Sequence, residues 1–246
     1  DILEKMQITL LQLPIQSDSN RPAFSAALLY IEENGEEFAF LGLNTADYFD
    51  KQLFAIAHEL YHYLTKTGSH LSRIEEETKI IEVQANRFAA EFLLPQTALE
   101  RLIIQEFKTS SLHGVSLSRL LRFIARLHCT WWLPYRSLVR RLKETAAISD
   151  SQYKTLYGVD ERDLHGDYGR LGMAINDVIF PMLNRVTKKT GVSQDSLELI
   201  IQNYEDYLIG DDRFAELLHL FGKSPTDFGY DLGIYEEDIR EFEQFF

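Results

Sequence analysis

The segment His58-Glu59-Leu60-Tyr61-His62 contains residues that could bind a metal ion and use it for chemistry. On an α-helix, His58 and His62 lie on one face, about 40° apart around the axis, because one turn takes 3.6 residues. Two imidazoles on one face can bind the same tetrahedral Zn²⁺. A glutamate directly after the first histidine can accept a proton from water at the metal's open position, which makes Glu59 the candidate general base. The pattern therefore predicts a hydrolytic zinc site.

The residues around these histidines predict the helix that would carry them. Apolar side chains recur at helical spacing and form one stripe, at Leu53, Ile56, Ala57, Leu60 and Leu64. We expect this stripe to face a core, in a helix that begins near 47–50 and ends at Gly68. The two histidines fall on the other side of the helical wheel. The alternative interpretation is a pair of solvated histidines on an amphipathic helix.

A second helical segment offers a third metal ligand. Glu82, Ala85, Asn86 and Ala89 are spaced at i, i+3, i+4 and i+7, so they share one face. The small alanines would let this face approach the histidine helix closely enough for Glu82 to reach a shared metal. Asn86 could then orient a ligand. Glu91 is half a turn round from Glu82 and is expected to point away. A solvated glutamate on a helical face is the alternative.

Together the two segments resemble the ImmA/IrrE family of bacterial and phage metallo-endopeptidases. The resemblance rests on the run from Phe54 to His62 and on Glu82-x-x-Ala85-Asn86-x-Phe88-Ala89-Ala90-Glu91-x-Leu93-Leu94-Pro95. It covers roughly residues 25–95, with a weaker similarity to about residue 165. Two positions depart from the family pattern, with Ala55 in place of Thr and Tyr61 in place of Gly, and neither supplies a ligand.

The resemblance has direct implications for chemistry and partners. It implies that His58, His62 and Glu82 are zinc ligands and that Glu59 is the catalytic base. It also implies a protein substrate, a helix-turn-helix repressor whose cleavage switches on stress-response or mobile-element genes.

The composition is that of an ordinary globular protein, with 45% hydrophobic and 26% charged residues. No apolar run is long enough to span a bilayer, so no membrane partner is expected. No signal-peptide pattern opens the sequence, and its start at Asp1 rather than Met indicates a trimmed or processed N-terminus. The single cysteine, Cys129, excludes an internal disulfide and favours the cytoplasm. Its apolar surroundings predict a buried, inert thiol.

The net charge of −13 hides a contrast between segments. Residues 1–100 carry seven Lys/Arg and sixteen Asp/Glu, residues 101–165 carry eleven and six, and residues 166–246 carry seven and sixteen. Only the middle segment could meet nucleic acid. Two helical patterns over 117–142 can be interpreted as a helix-turn-helix, with clustered arginines at Arg119, Arg122, Arg126, Arg136, Arg140 and Arg141. The bulky turn at 131–134 speaks against it, and direct nucleic-acid binding is not expected.

The periodicities predict an α+β fold. A strand over 7–13 and a hairpin of strands over 26–31 and 37–43, with Asn34-Gly35 as its turn, predict a small antiparallel sheet. We expect this sheet to pack on zincin-like active-site helices and to be followed by a mostly helical C-terminal half. Further helices are predicted over 78–94, 96–107, 171–190, 193–209 and 212–220.

The division into regions follows from these elements. We expect a metallopeptidase domain at 1–105, a basic helical region at 106–165 and an acidic helical region at 166–246. The last region contains no second catalytic constellation, so we expect it to select substrate or control access and to be dispensable for folding and zinc binding.

The sequence thus favours a cytoplasmic zinc metallo-endopeptidase that cleaves a DNA-binding repressor. Two alternatives stay open, a non-catalytic zinc-binding sensor or adaptor and a DNA-binding regulator acting through residues 117–142. Glu59 favours the enzyme, because a structural zinc site needs no base. The residue that stabilises the oxyanion is left open among Tyr61, Tyr63, His113, His128 and later tyrosines.

Overall fold

The computed structural model describes residues 2–16, 24–67 and 75–232. Its strands are β1 (Ile8–Leu13), β2 (Ala26–Glu33) and β3 (Glu36–Asn44). Its helices are α1 (Ile2–Lys5), α2 (Phe49–Thr65), α3 (Glu75–Leu93), α4 (Gln96–Phe107), α5 (Leu117–Trp131), α6 (Tyr135–Glu144), α7 (Asp150–Tyr157), α8 (Asp167–Ile175), α9 (Ile179–Leu183), α10 (Gln194–Glu205) and α11 (Asp211–Leu220), followed by a 3₁₀ turn η1 (Pro225–Phe228). Gly68, where the second helix was expected to end, lies outside the described residues.

The strands form a small mixed sheet in the order β1-β3-β2. β2 and β3 pair in antiparallel fashion around Asn34 and Gly35, whose φ angles of 53° and 83° suit a hairpin turn of this kind. β1 pairs with β3 in parallel, with Ile8 opposite Ala39. The α+β class is confirmed, whereas the prediction of an antiparallel sheet is wrong at β1. The reason is that β1 lies beside β3 instead of beside its neighbour in sequence, β2.

Helix α2 packs on one face of the sheet. Leu28, Leu41 and Leu43 of the sheet are buried in one cluster with Leu60 of the helix. Ala57 is also buried, as predicted, but Leu64 is 59% exposed. The predicted apolar stripe is therefore correct in the middle of the helix and wrong at Leu64.

The helical half has its own hydrophobic core, centred on α5. This helix buries Leu120, Phe123 and Ile124 against the inner faces of α4, α6 and α8. α5 continues to Trp131 and ends where Trp132 takes a left-handed conformation, φ 58°. The two helices predicted over 117–142 are confirmed. Cys129 lies in this core, and burial raises the pKa of its thiol to about 11, so that it stays protonated near neutrality.

The segment after α9 was predicted to be part of a helix over 171–190, and this is wrong. Beyond α9 the chain instead pairs with the N-terminal half through isolated bridges at Val186 and Gly191. Gly191 exchanges backbone hydrogen bonds with Gln12 of β1, at 2.8 and 3.0 Å, and the Lys188 N–H donates to the carbonyl of Thr45 at 2.9 Å. We call residues 184–192 the strap. Its partners lie far away in the sequence, and no local periodicity encodes them.

The last described helices form a small unit. The helix predicted over 193–209 is α10, and the hydroxyl of Ser193 caps its start by accepting from the Ser196 N–H. Stacked and edge-on rings of Tyr204, Phe214 and Tyr230 join α10, α11 and the residues after η1. Among the described residues we find no helix whose length and apolar character would allow it to span a bilayer.

Candidate metal centre

Two helices bring three potential metal ligands together. Nε2 of His58 lies 3.1 Å from Nε2 of His62 and 3.2 Å from Oε2 of Glu82. Nε2 of His62 lies 3.3 Å from Oε1 of Glu82. The two histidines come from successive turns of α2 and the glutamate from α3. The sequence predicted this trio, and the structure brings all three side chains to one point.

The spacing of these atoms fits a tetrahedral cation. Zinc bonds of about 2.0–2.1 Å to nitrogen and oxygen place neighbouring ligand atoms of a tetrahedron about 3.3 Å apart. The two imidazole nitrogens are 3.1 Å apart, and each lies 3.2–3.3 Å from one of the two oxygens of Glu82, which is close to that edge length. Two neutral nitrogen donors and one carboxylate are also a donor set that zinc prefers. Residues His58, His62 and Glu82 therefore fit a zinc ion and leave a fourth position for water.

The close approach of α2 and α3 depends on small side chains. Ala85 and Ala89 of α3 are completely buried, as the motif predicted. Asn86 lies one turn after Glu82, and its amide donates to the Glu82 backbone carbonyl at 2.7 Å. This contact is with the main chain of Glu82 and not with its carboxylate, so the role of Asn86 in orienting a ligand stays a prediction.

Glu59 lies beside this cluster in an unusual environment. Burial, followed by the nearby charge of Glu82, raises the pKa of Glu59 to about 7, although a hydrogen bond with the Leu28 backbone lowers it. A cation held by the cluster would offset the charge of Glu82 and favour the ionised form of Glu59. A half-buried carboxylate within reach of a metal-held water could act as a general base.

The cluster opens into a cleft of about 730 Å³. One wall is the beginning of β2, residues 25–28, and another is the face of α3 that carries Glu82. The remaining wall comes from residues 134–137 at the start of α6 and from residues 161–162. The sequence analysis missed this last wall, because about 75 residues separate it from the histidine motif and no periodicity connects the two.

Residues 4–124 match the model of a peptidase M78 family, described as the IrrE N-terminal-like domain. These residues belong to that family. The family predicted from the two motifs is confirmed, and a metallopeptidase-like function follows at the level of the family. No curated protein and no solved structure matches the chain. The IrrE-like domain, residues 4–124, contains the whole metal cluster and Glu59, whereas the α6 wall of the cleft lies beyond it.

A buried charged network ties the first turn of α2 to the helical half. Asp50 accepts two hydrogen bonds from Nη2 of Arg162, both at 3.0 Å, and its Oδ2 lies 3.2 Å from Nε2 of His128. Nδ1 of His128 is 3.0 Å from the hydroxyl of Tyr168. Burial alone raises the pKa of Asp50, but the hydrogen bond with His128 and the charge of Arg162 bring it below its ordinary value. Asp50 therefore stays ionised and anchors Arg162 at the cleft.

Glu91 points away from the metal cluster, as predicted, and has a structural partner. Its carboxylate accepts from Nη2 of the buried Arg141 through Oε2, and from the backbone N–H of Gln96 through Oε1 at 2.9 Å. Nη2 of Arg141 also donates to the Leu94 carbonyl at 3.2 Å. Glu91 thus joins the end of α3 to α4 and α6.

Three of the side chains considered for stabilising the oxyanion make contacts with other groups. The Tyr61 hydroxyl donates to Oε1 of Gln84, the Tyr63 hydroxyl donates to the Met6 carbonyl, and His128 is buried in the Asp50 network. The polar side chains on the wall opposite α3 are instead those of residues 136, 137, 161 and 162.

Most of the arginines that suggested a helix-turn-helix make ion pairs within the chain. Arg122 and Arg126 pair with Glu106, Arg136 pairs with Glu161, and Arg141 pairs with Glu91. Each pair reduces the positive charge that a nucleic acid would meet. The second helix of the predicted pair, α6, contributes its first turn to the cleft beside the metal cluster.

Proposed function

We propose that the protein is a zinc-dependent endopeptidase that hydrolyses peptide bonds in a regulatory protein. The observation that carries this proposal is the meeting of two imidazole nitrogens and one carboxylate within 3.1–3.3 Å of one another, beside the half-buried Glu59. A structural zinc site commonly has four protein ligands and needs no base. A three-ligand cluster with an adjacent carboxylate is the composition of a hydrolytic site, which favours the enzyme over a zinc-binding adaptor.

The side chains would share the reaction as follows. His58, His62 and Glu82 would hold Zn²⁺, which when bound lowers the pKa of a water ligand and polarises a peptide carbonyl. Glu59 would accept the water proton at its carboxylate and deliver it to the leaving amine. Burial of Glu59 supports this role, because it brings the pKa of the carboxyl to the range in which a proton can be both taken and returned near neutral pH.

The cleft favours an extended protein segment as substrate. Within the described residues β2 is an edge strand of the sheet, and its residues 25–28 line the cleft beside Glu59. An extended peptide can add to such an edge through backbone hydrogen bonds. The family resemblance suggests a helix-turn-helix repressor in a stress, phage or mobile-element response. The absence of any cysteine beyond the buried Cys129 supports a cytoplasmic setting.

Incubation of the zinc-loaded protein with DNA-binding repressors encoded near its own gene tests the proposal. We expect one defined cut in one repressor. Glu59→Gln is the matched control, since it removes only the proton acceptor and should keep both fold and zinc while slowing cleavage about 10²–10⁴-fold. Zinc analysis of the wild-type protein accompanies the assay. A wild-type protein without zinc, or cleavage by the Glu59→Gln variant at the wild-type rate, would contradict the assignment.

A further inference from the structure

The end of α2 folds back beneath His62. The helix ends at Thr65, and Lys66 takes a left-handed conformation with a φ of 51°. This turn directs the following residue back towards the helix, so that the backbone N–H of Thr67 donates to the His62 carbonyl at 3.1 Å. The hydroxyl of Thr67 then lies 3.0 Å from Nδ1 of His62. The ring nitrogen of His62 that does not face the metal cluster therefore has a hydroxyl partner.

The sheet holds this turn in place. A left-handed conformation is unfavourable for a residue with a Cβ atom, so Lys66 needs compensating contacts. Its ammonium group makes an ion pair with Glu37 of β3. The same group lies 4.6 Å from the ring centroid of Tyr30 and 4.8 Å from that of Tyr63. These contacts fix Lys66, and with it the position of Thr67 under His62.

Only one placement of the hydrogen atoms makes all three contacts in this group hydrogen bonds. Oγ1 of Thr65 lies 2.7 Å from the backbone carbonyl of Tyr61, which can only accept, so the single hydroxyl hydrogen of Thr65 points there. In its 2.7 Å contact with Thr67, the Thr65 oxygen must then accept. The hydrogen of Thr67 is thereby used, so its oxygen accepts from Nδ1 of His62. It follows that Nδ1 carries the hydrogen.

We propose that Thr65 and Thr67 are positioning residues of the metal centre, whose hydroxyl relay fixes His62 as the Nδ1–H tautomer and so presents the Nε2 lone pair to the metal. Nε2 is the atom that faces His58 and Glu82. A partner on the other ring nitrogen fixes both the tautomer and the ring orientation of a ligand, and its loss typically weakens metal binding by about 10–100-fold. The identity of the metal rests on the proposed function, whereas the tautomer can be measured without any metal.

Long-range ¹H–¹⁵N correlation spectra of the full chain, after removal of metal by a chelator, test the tautomer. At a pH where the neutral ring of His62 is observed, we expect its hydrogen on Nδ1. In Thr67→Val, an isosteric change that removes the acceptor, this preference should disappear, and in Thr67→Ser it should be retained. A wild-type His62 with its hydrogen on Nε2 would overturn the proposal.

Zinc affinity, measured by competition with a chromophoric chelator, tests the consequence. Thr67→Val should bind zinc about 10–100-fold more weakly, with Thr65→Val weakened to a smaller extent and Thr67→Ser close to wild type. Thr155→Val is a matched control, because Thr155 makes the same hydroxyl contact with a carbonyl four residues earlier but lies on α7, far along the chain from the cluster. Tight zinc binding that is equal in wild type and Thr67→Val would refute the relay and leave the proposed function intact. A wild type that binds no zinc would refute the proposed function, and the spectra would still decide on the tautomer.

Discussion

A truncation series tests where the folded unit ends. The sequence placed a boundary at residue 165 and predicted that the remainder is dispensable for folding and zinc binding. Contacts across that position favour a different boundary, near residue 192. We expect a chain ending at residue 165 to lose both its fold and its zinc, and a chain ending at residue 192 to keep both.

The magnitude follows from what each truncation removes. Ending at residue 165 removes Tyr168 and Phe180, which are fully buried and packed on His128 with ring centroids 5.8–6.4 Å from it. Loss of a buried large aromatic residue destabilises by about 3–5 kcal/mol, so these two alone amount to about 6–10 kcal/mol. The strap contributes further hydrogen bonds to Gln12 and Thr45, each of about 1 kcal/mol. The total is comparable with the whole stability of a typical domain, about 5–15 kcal/mol.

Ending at residue 192 removes much less from the core. The aromatic contacts of α10 and α11 lie within their own unit, and α10 has no buried residue. We therefore expect a melting temperature within a few degrees of the full chain, since about 1 kcal/mol corresponds to roughly 2–4 °C for a protein of this size. Circular dichroism melts and zinc analysis of the two truncated proteins provide the measurement. If the chain ending at residue 165 melts and binds zinc like the one ending at residue 192, the strap and Phe180 are not part of the folded unit, and this reasoning fails.

Two further predictions concern single carboxylates. Glu82→Gln should weaken zinc binding by more than about 100-fold, because losing a residue that only supports a ligand already costs about 10–100-fold. Glu91→Gln is the control and should keep zinc. It should lower the free energy of unfolding by about 1–3 kcal/mol, because the buried Arg141 loses its carboxylate partner. Normal zinc content in Glu82→Gln would exclude Glu82 as a ligand. Asp50→Asn should destabilise the protein by about 3–5 kcal/mol near neutral pH, since Arg162 and His128 lose their buried partner, whereas the exposed Asp150→Asn should have little effect. The folded-state pKa of Asp50 is below its ordinary value, so the stability that Asp50 contributes is present above about pH 4 and is lost as the pH falls towards the folded pKa. The stabilities of the wild type and of Asp50→Asn should therefore converge as the pH is lowered. Stability curves that stay parallel down to the lowest pH would contradict this.

The features that could be predicted from the sequence are those encoded at short range. Helical spacing located the faces of α2 and α3, and the pair Asn34-Gly35 located the hairpin turn. The metal cluster could be predicted because it needs only one face of α2 to meet one face of α3, and the small side chains of Ala85 and Ala89 indicated where the two helices could approach closely. All of these signals extend over at most two or three helical turns.

The features that the sequence did not reveal depend on partners far away along the chain. Arg162 donates to Asp50 across 112 positions, and the backbone carbonyl of Lys189 accepts from the Thr45 hydroxyl across 144. Arg162 does not differ in type or spacing from a solvated cation at the surface, and the contact of Lys189 is made by the main chain, which the type of side chain does not reveal. The parallel pairing of β1 was missed for the same reason, since alternation predicts that a strand exists but not which strand lies beside it.

The motif from Glu82 to Pro95 is long because α3 makes two separate sets of contacts. Its first part, with Glu82, Ala85 and Ala89, faces α2 and completes the metal cluster. Glu91, half a turn away, is exposed and ties α3 to the buried Arg141 of α6. α6 supplies a wall of the cleft, so a single rigid helix sets the position of a metal ligand and of that wall together. Movement of α6 relative to the metal would break the ion pair of Glu91 with Arg141, and the helical half is therefore a part of the active-site architecture and not an appendage to it.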